Sequence, residues 1–351
     1  MQKGFSLSTR GWHFRFPAKA FLIFCPFLLL IMVSKNLRAE EVVIYTSQDQ
    51  VFSEPILQEF EKKAGIKVKI VYDVEAAKTT GLVNRLIAEK NNPQADVFWS
   101  SEVGRTIILK QKGILDSYRS PSAEGVPEQF KDKDGTWVGF AARSRVLIYN
   151  TKLVKKSDLP RSIFELTDSK WKGKVAMSYP LFGTTATHVA ALYALLGTEK
   201  AESFLKALKE NKVIIVDGNS VVRDIVVEGE AAIGFTDTDD AHVAIKMGKP
   251  VNIIYPDKEG IGTLLIPNTI SLVKGAPHPK EAKKLIDYLL SKEVESKLAF
   301  CEAAQMPLRD GVKVPSHVPA FTSIKAMKVN FYQVAEKLEQ AALFCQGLFV
   351  R

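Results

Sequence analysis

The chain is short of the residues that enzymes most often use. It has three cysteines and five histidines in 351 residues. No His/Cys spacing fits a zinc site. There is no Gly-x-Ser-x-Gly nucleophile turn and no glycine loop ending in Gly-Lys-Ser/Thr, which removes two common hydrolase and nucleotide-binding readings. No internal repeat or low-complexity stretch is present, which excludes solenoids and propellers. The longest apolar run, Ala20–Val33, is about 14 residues, short of the roughly 20 that span a bilayer.

Acidic residues are missing from the first 39 positions, which carry Lys3, Arg10, Arg15, Lys19, Lys35 and Arg38. A positive start, a short apolar middle and a small residue, Ala39, at the end are the parts of a secretory signal peptide. A membrane anchor is the alternative. Phe24 is too large for the residue before a lipoprotein cysteine at Cys25. Removing residues 1–39 lowers the net charge from +9 to +3. The basic balance then belongs mostly to the leader, and no nucleic-acid partner is expected. In an exported chain the two remaining cysteines, Cys301 and Cys345, are expected to pair; two buried thiols are the alternative.

What is present is an alternation of strands and helices. Val42–Tyr45 reads as a strand. A helix with Phe52, Ile56, Leu57 and Phe60 on one face follows and ends at Gly65. Strand 66–74, helix 79–90, strand 96–99 and a helix closed by Gly113 complete an α/β unit with a mainly parallel sheet. Two extended segments, Trp137–Asn150 and Gly260–Lys274, bracket a second unit with strands near 174–177, 213–216 and 231–235. Amphipathic helices are expected at 279–290 and 330–349. The fold class is therefore α/β, with two doubly wound lobes joined by two extended hinge strands. The expected boundaries are leader 1–39, lobe 1 at 40–141 with 266–310 returning to it, and lobe 2 at 142–265 with 311–351 packing on it. Such lobes can hinge shut on a ligand.

One polar stretch stands out. Thr236-Asp237-Thr238-Asp239-Asp240 follows the apolar run Ala231–Phe235. Three carboxylates at the end of a buried strand repel one another and are costly to desolvate without partners. In an open α/β sheet that strand end is where ligands bind. The alternative is a solvated turn with Asp240 as a helix N-cap. A second candidate is Gly183-Thr184-Thr185, where a helix N-terminus favours an anion; there the alternative is a threonine N-cap.

The residues also carry a resemblance. Val42–Asp49, Ala95–Glu102, Gly229–Gly234, Leu272–Lys280 and Val334–Leu338 resemble segments of periplasmic substrate-binding proteins of ABC importers, in the type II group with ferric-ion- and thiamine-binding proteins. The resemblance spreads over nearly all of the chain beyond the leader. It implies a monomer in the periplasm that hands a small solute or metal ion to an inner-membrane permease. It implies no cofactor, since a metal ion would be the cargo. In ferric-binding members an early side chain, a glutamate and two adjacent tyrosines hold iron, with an anion completing the shell. By placement these fall on Asp49, Glu102, Asp239 and Asp240, so an Asp pair stands where the tyrosines stand. The anion loop falls on Tyr179–Thr185.

Carboxylates from Asp49, Glu102, Asp237, Asp239 and Asp240 suit hard cations, ferric iron first, with an anion on Thr184 and Thr185. The alternative cargo is an amine-bearing solute such as an aminoalkylphosphonate or a thiamine phosphate. Arg143, Arg145 and Arg223 could grip its anion or simply pair with acids. Trp99 and Tyr179 could stack on an organic cation or lie in the core. His188 and His242 read as helix-face residues. A metal-assisted hydrolase is a distant rival, because no nucleophile–base pair accompanies the cluster.

Overall fold

The computed structural model describes residues 40–73 and 80–350, together with Met1 and Gly11. The expected leader, with Cys25, lies outside the described residues apart from those two. Among the described residues no helix is long and apolar enough to cross a membrane.

The first half runs β1 (Glu41–Thr46), α1 (Gln50–Ala64), β2 (Lys67–Tyr72), α2 (Thr80–Ala88), β3 (Val97–Ser100), α3 (Val103–Gln111) and the short β4 (Leu115–Asp116). Gly65, in the left-handed region at φ 69°, ends α1 and turns the chain into β2. The long β5 (Val138–Asn150) then leads into the second half. That half contains β6 (Val175–Ser178), α4 (Gly183–Leu196), α5 (Thr198–Glu210), β7 (Ile214–Val216), α6 (Asn219–Glu228), β8 (Ile233–Asp237), α7 (Thr238–Lys246) and β9 (Val251–Ile254). The chain returns through β10 (Leu265–Val273) to α8 (Pro279–Leu289) and α9 (Lys292–Phe300), and closes with α10 (Phe331–Leu348).

The sheet order is β2-β1-β3-β10-β5-β8-β6-β7, with β4 beside β10 and β9 beside β5. β1 pairs in parallel with β2 and β3, and β6 pairs in parallel with β7 and β8. The crossing strands β5 and β10 run antiparallel to their neighbours and to each other. The N-terminal part of β5 pairs with β10 and its C-terminal part with β8 and β9, so one strand is shared by both halves. All thirteen residues of β5 are buried, which explains its unbroken apolar reading apart from Arg143, Ser144 and Arg145.

Several elements differ from expectation. The expected extended segment starts late: the chain turns up to Ile261, Thr263 makes an isolated bridge to Ala326, and β10 begins at Leu265. β4, β9 and α9 were not anticipated; the first two are only two and four residues long, and α9 carries too many charges to show a clean apolar face. α10 packs Val334, Leu338 and Ala341 among the apolar residues of α4 and α5. It also lays Ala335 against Val103 and Ile107 of α3, so this helix touches both halves.

Cys301 and Cys345 are both free thiols. Cys345 sits in the core with Tyr193 and Leu338, whereas Cys301 ends α9 and donates to the Leu298 carbonyl at 3.2 Å. Burial raises both thiols, Cys345 to about 12. The expected disulfide is absent because the helices that carry the cysteines belong to different cores.

Candidate functional site

β6, β7 and β8 point their carboxyl ends at one place, and each leads into a helix. α4, α6 and α7 therefore begin side by side. Gly234 makes this close packing possible: a Cβ there would lie 2.5 Å from Val222 Cγ1 of α6 and 2.9 Å from Ile148 Cγ2 of β5. With α6 drawn onto β8, Asn219 reaches Asp237.

Asp237 stands at the N-cap position of α7 but makes no side-chain cap to its own helix. Arg145 Nη1 donates to its Oδ1 at 2.6 Å, and Thr184 Oγ1 and Asn219 Nδ2 donate to its Oδ2 at 2.6 and 3.1 Å. Arg145 Nη2 also donates to Thr185 Oγ1 at 3.1 Å, and the guanidinium lies 4.5 Å over the Phe235 ring. Arg145 is wholly buried. This is a buried ion pair whose oxygens and protons are mostly satisfied, the condition under which such a pair is tolerated.

Asp239 and Asp240 occupy the first turn of α7, where the positive helix end suits acids. Asp239 is buried, and Arg143 Nη1 donates to its Oδ2 at 2.8 Å. Burial pushes the Asp239 carboxyl up, and the charges of Asp237 and Asp49 push it further, against the pull of Arg143. Arg143 moves up as well: burial works against its charge, but Asp239, Asp237 and Asp49 outweigh that. Asp240 is half-buried, with Arg223 Nη1 4.0 Å away; Arg223 itself pairs with Asp224 at 2.7 Å.

Carboxylate oxygens of Asp237, Asp239 and Asp240 all lie within 4.8 Å of one another, close enough to share a cation. They line a cavity of about 30 Å³ together with Asp49, Asp217, Arg143, Tyr179, Gly183, Thr184 and Asn219. That space holds roughly two water-sized groups. The cavity is thus walled by acids on α7 and by the N-terminal turns of α4 and α6.

The expected site residues divide. Asp49, Gly183, Thr184, Asp237, Asp239 and Asp240 come together around the cavity. Arg145 and Thr185 lie behind its wall, and Arg223 lies beside Asp240. Neither threonine caps α4; their hydroxyls serve Asp237 and the Ser178–Asn219 network. Asp240 is inside α7 rather than its cap. Glu102 is not among the cavity-lining residues. It caps its own helix, accepting from Gly104 N at 2.6 Å and Arg105 N at 3.0 Å, and it accepts from Thr187 Oγ1 of α4 at 2.8 Å. Burial raises its carboxyl, opposed by Arg105, Thr187 and the two N–H groups. Trp99 is core, 5.6 Å from Phe140, whereas Tyr179 lines the cavity. His188 is buried against Phe235 and His242 against His317, so neither enters the site. Sequence reasoning missed Asn219, Ser178 and Ser101. The signal for Asn219 was available: Gly218-Asn219 opens a helix after a strand, as Gly183-Thr184 does.

The profile of the bacterial extracellular solute-binding protein family matches residues 45–296. The chain belongs to this family. Its relatives are solute-binding proteins, and its work is binding rather than catalysis. Iron uptake protein A1 of Synechocystis sp. is 29% identical over 314 residues, covering 86% of this chain and 85% of that protein. A candidate 2-aminoethylphosphonate-binding periplasmic protein of Salmonella typhimurium is 29% identical over 289 residues, covering 80% of this chain and 82% of that protein. Iron-bound HitA from Pseudomonas aeruginosa, 24% identical, superposes with a TM-score of 0.80 over 89% of this chain and all of HitA. The last likeness establishes the fold: this solute-binding protein has the type II periplasmic binding architecture.

Proposed function

We propose that this solute-binding protein captures a hard cation, ferric iron first, together with a small anion, and delivers it to an inner-membrane ABC permease. The observation that carries the reading is the triad Asp237, Asp239 and Asp240, with oxygens within 4.8 Å of one another, facing two helix N-termini across a small cavity. Asp239, Asp240 and Asp49 hold the cation, and the first turns of α4 and α6 hold the anion. Asp237 serves as the fixed support beneath them, since Arg145, Thr184 and Asn219 already engage its oxygens. Residues 40–141 with 266–310 form one lobe and 142–265 with 311–351 the other, and cargo that touches both favours the closed form. The protein acts as a monomer, exported by the leader at 1–39.

A second reading, an amine-bearing phosphonate, is favoured by one observation. Carboxylates, not phenolates, stand at positions 239 and 240, and an ammonium group needs only carboxylates. Metal analysis and mass spectrometry of the cargo that co-purifies from the native host decide between them. Near-stoichiometric metal supports cation capture; an organic phosphonate without metal sinks it.

A further inference from the structure

Two arginines two residues apart on β5 reach the acids at the β8–α7 turn, and they are built differently. The Arg145 guanidinium finds its partners in the half that contains β6 to β8: Asp237, Thr184, Thr185, Asn219 and the Phe235 carbonyl. It is buried behind the cavity and reads as a structural counter-charge. Arg143 lines the cavity. Its Nη1 donates to Asp239 Oδ2 at 2.8 Å in that same half, but its Nη2 donates to the Ser101 carbonyl, between β3 and α3 in the other half. One guanidinium ties the two walls of the cleft. Among the described residues the Nε of each arginine is buried without a partner, so the two differ in what their Nη groups reach and not in that orphaned donor.

We propose that Arg143 is a resident cation of the cleft: in the cargo-free protein it occupies Asp239 and bridges to Ser101, and an incoming cation must displace it from Asp239. The inference rests on the cation-capture reading above. A guanidinium does not lose its proton in proteins, so its charge cannot be removed to make room. It has to be outcompeted. A monovalent cation offers Asp239 no more charge than Arg143 already does, whereas a divalent or trivalent ion does. Arg143 thereby sets the charge that a cargo needs. Through Ser101 it also holds the cargo-free cleft partly shut.

The test uses Arg143→Gln, Arg143→Lys and the charge-balanced pair Arg143→Gln/Asp239→Asn, each first checked for cooperative melting. Small-angle scattering reads the compactness of the cargo-free proteins, and calorimetry reads the binding of Mn²⁺ and of ferric iron supplied as its nitrilotriacetate chelate. Lysine keeps the charge but its single ammonium lacks the fork that spans Asp239 and Ser101, so Arg143→Lys is expected to expand when cargo-free. The balanced pair should expand too, even if Arg143→Gln alone folds poorly. Arg143→Gln should bind Mn²⁺ roughly tenfold more tightly than the wild type, narrowing the preference for trivalent iron. Unchanged compactness with unchanged or weaker Mn²⁺ binding overturns the proposal, and it would mark Arg143 as a ligand anchor rather than a rival. If the wild type binds neither metal, the capture reading fails by itself, and the bridging claim stands or falls on compactness alone.

Discussion

Two strand-to-helix turns in this protein put an acid at the start of a helix, and they use it in opposite ways. After β3, Glu102 folds back and caps α3 with both oxygens. After β8, Asp237 leaves α7 uncapped and turns sideways to Arg145, Thr184 and Asn219, while the next two acids gather around the cavity. The physical difference is what surrounds each carboxylate. Around Glu102 the nearest donors are its own helix amides and Thr187. Around Asp237 a buried guanidinium lies 2.6 Å away and outbids the amides. An acid at a strand end is therefore not a ligand by position alone; its competing donors decide.

The largest effect should come from breaking the Asp237 side. Asp237→Ala leaves Arg145 buried without its charge partner and should cost about 3–5 kcal/mol of stability, measured by chemical denaturation. A loss below about 1 kcal/mol would mean that the Arg145 network does not depend on Asp237. The Glu102 side should respond more weakly. Glu102→Gln weakens a cap and the bond to Thr187, so a loss of about 1–2 kcal/mol is expected. Cation affinity should stay within roughly threefold of the wild type, because the side chain faces its own helix amides. A collapse of affinity would return Glu102 to the ligand set and erase the contrast.

Acidity sharpens the comparison further. Asp239 holds its proton to a higher pH than an ordinary carboxylate, chiefly through burial. Its contribution to the cargo-free fold is present below the ordinary carboxylate range and is lost as pH rises through its raised value. Cation binding runs the other way, since at a pH where Asp239 is protonated the metal must expel that proton as well as displace Arg143. Affinity should fall with decreasing pH, by up to about tenfold per unit for each proton displaced, and titration calorimetry at several pH values checks this. The smallest effect concerns the cysteines. Cys301 and Cys345 are unpaired, so a reductant should leave the melting temperature unchanged. A clear drop on reduction would show a disulfide.

The frame of this comparison was legible in the sequence. Long apolar runs marked β5 and β10, and strand–helix alternation marked both halves, because burial on two faces leaves a strong one-dimensional trace. The acidic turn was legible for the same reason, as charge directly after an apolar strand. Partner choice was not. Nothing in the spacing of Arg143 and Arg145 says that one would span two halves and the other stay within one. Asn219 carried a signal, a Gly-Asn helix start after a strand, but that pattern is shared with many plain caps and does not name Asp237 as its partner. Glu102 matched the resemblance by position, but Gly104 and Arg105 amides claim it only in three dimensions. The cysteine pairing failed likewise, since separation in space has no signature in a count of two.

The central claim is that the first turn of α7 is the cargo site. Thermal stabilisation by the co-purifying cargo, compared between the wild type and Asp239→Asn/Asp240→Asn, tests it most directly. The account predicts a stabilisation of about 2–3 kcal/mol at a hundredfold excess over Kd for the wild type. It predicts none for the double variant. Equal stabilisation of both proteins would show that the two aspartates only shape a turn, and would contradict the account.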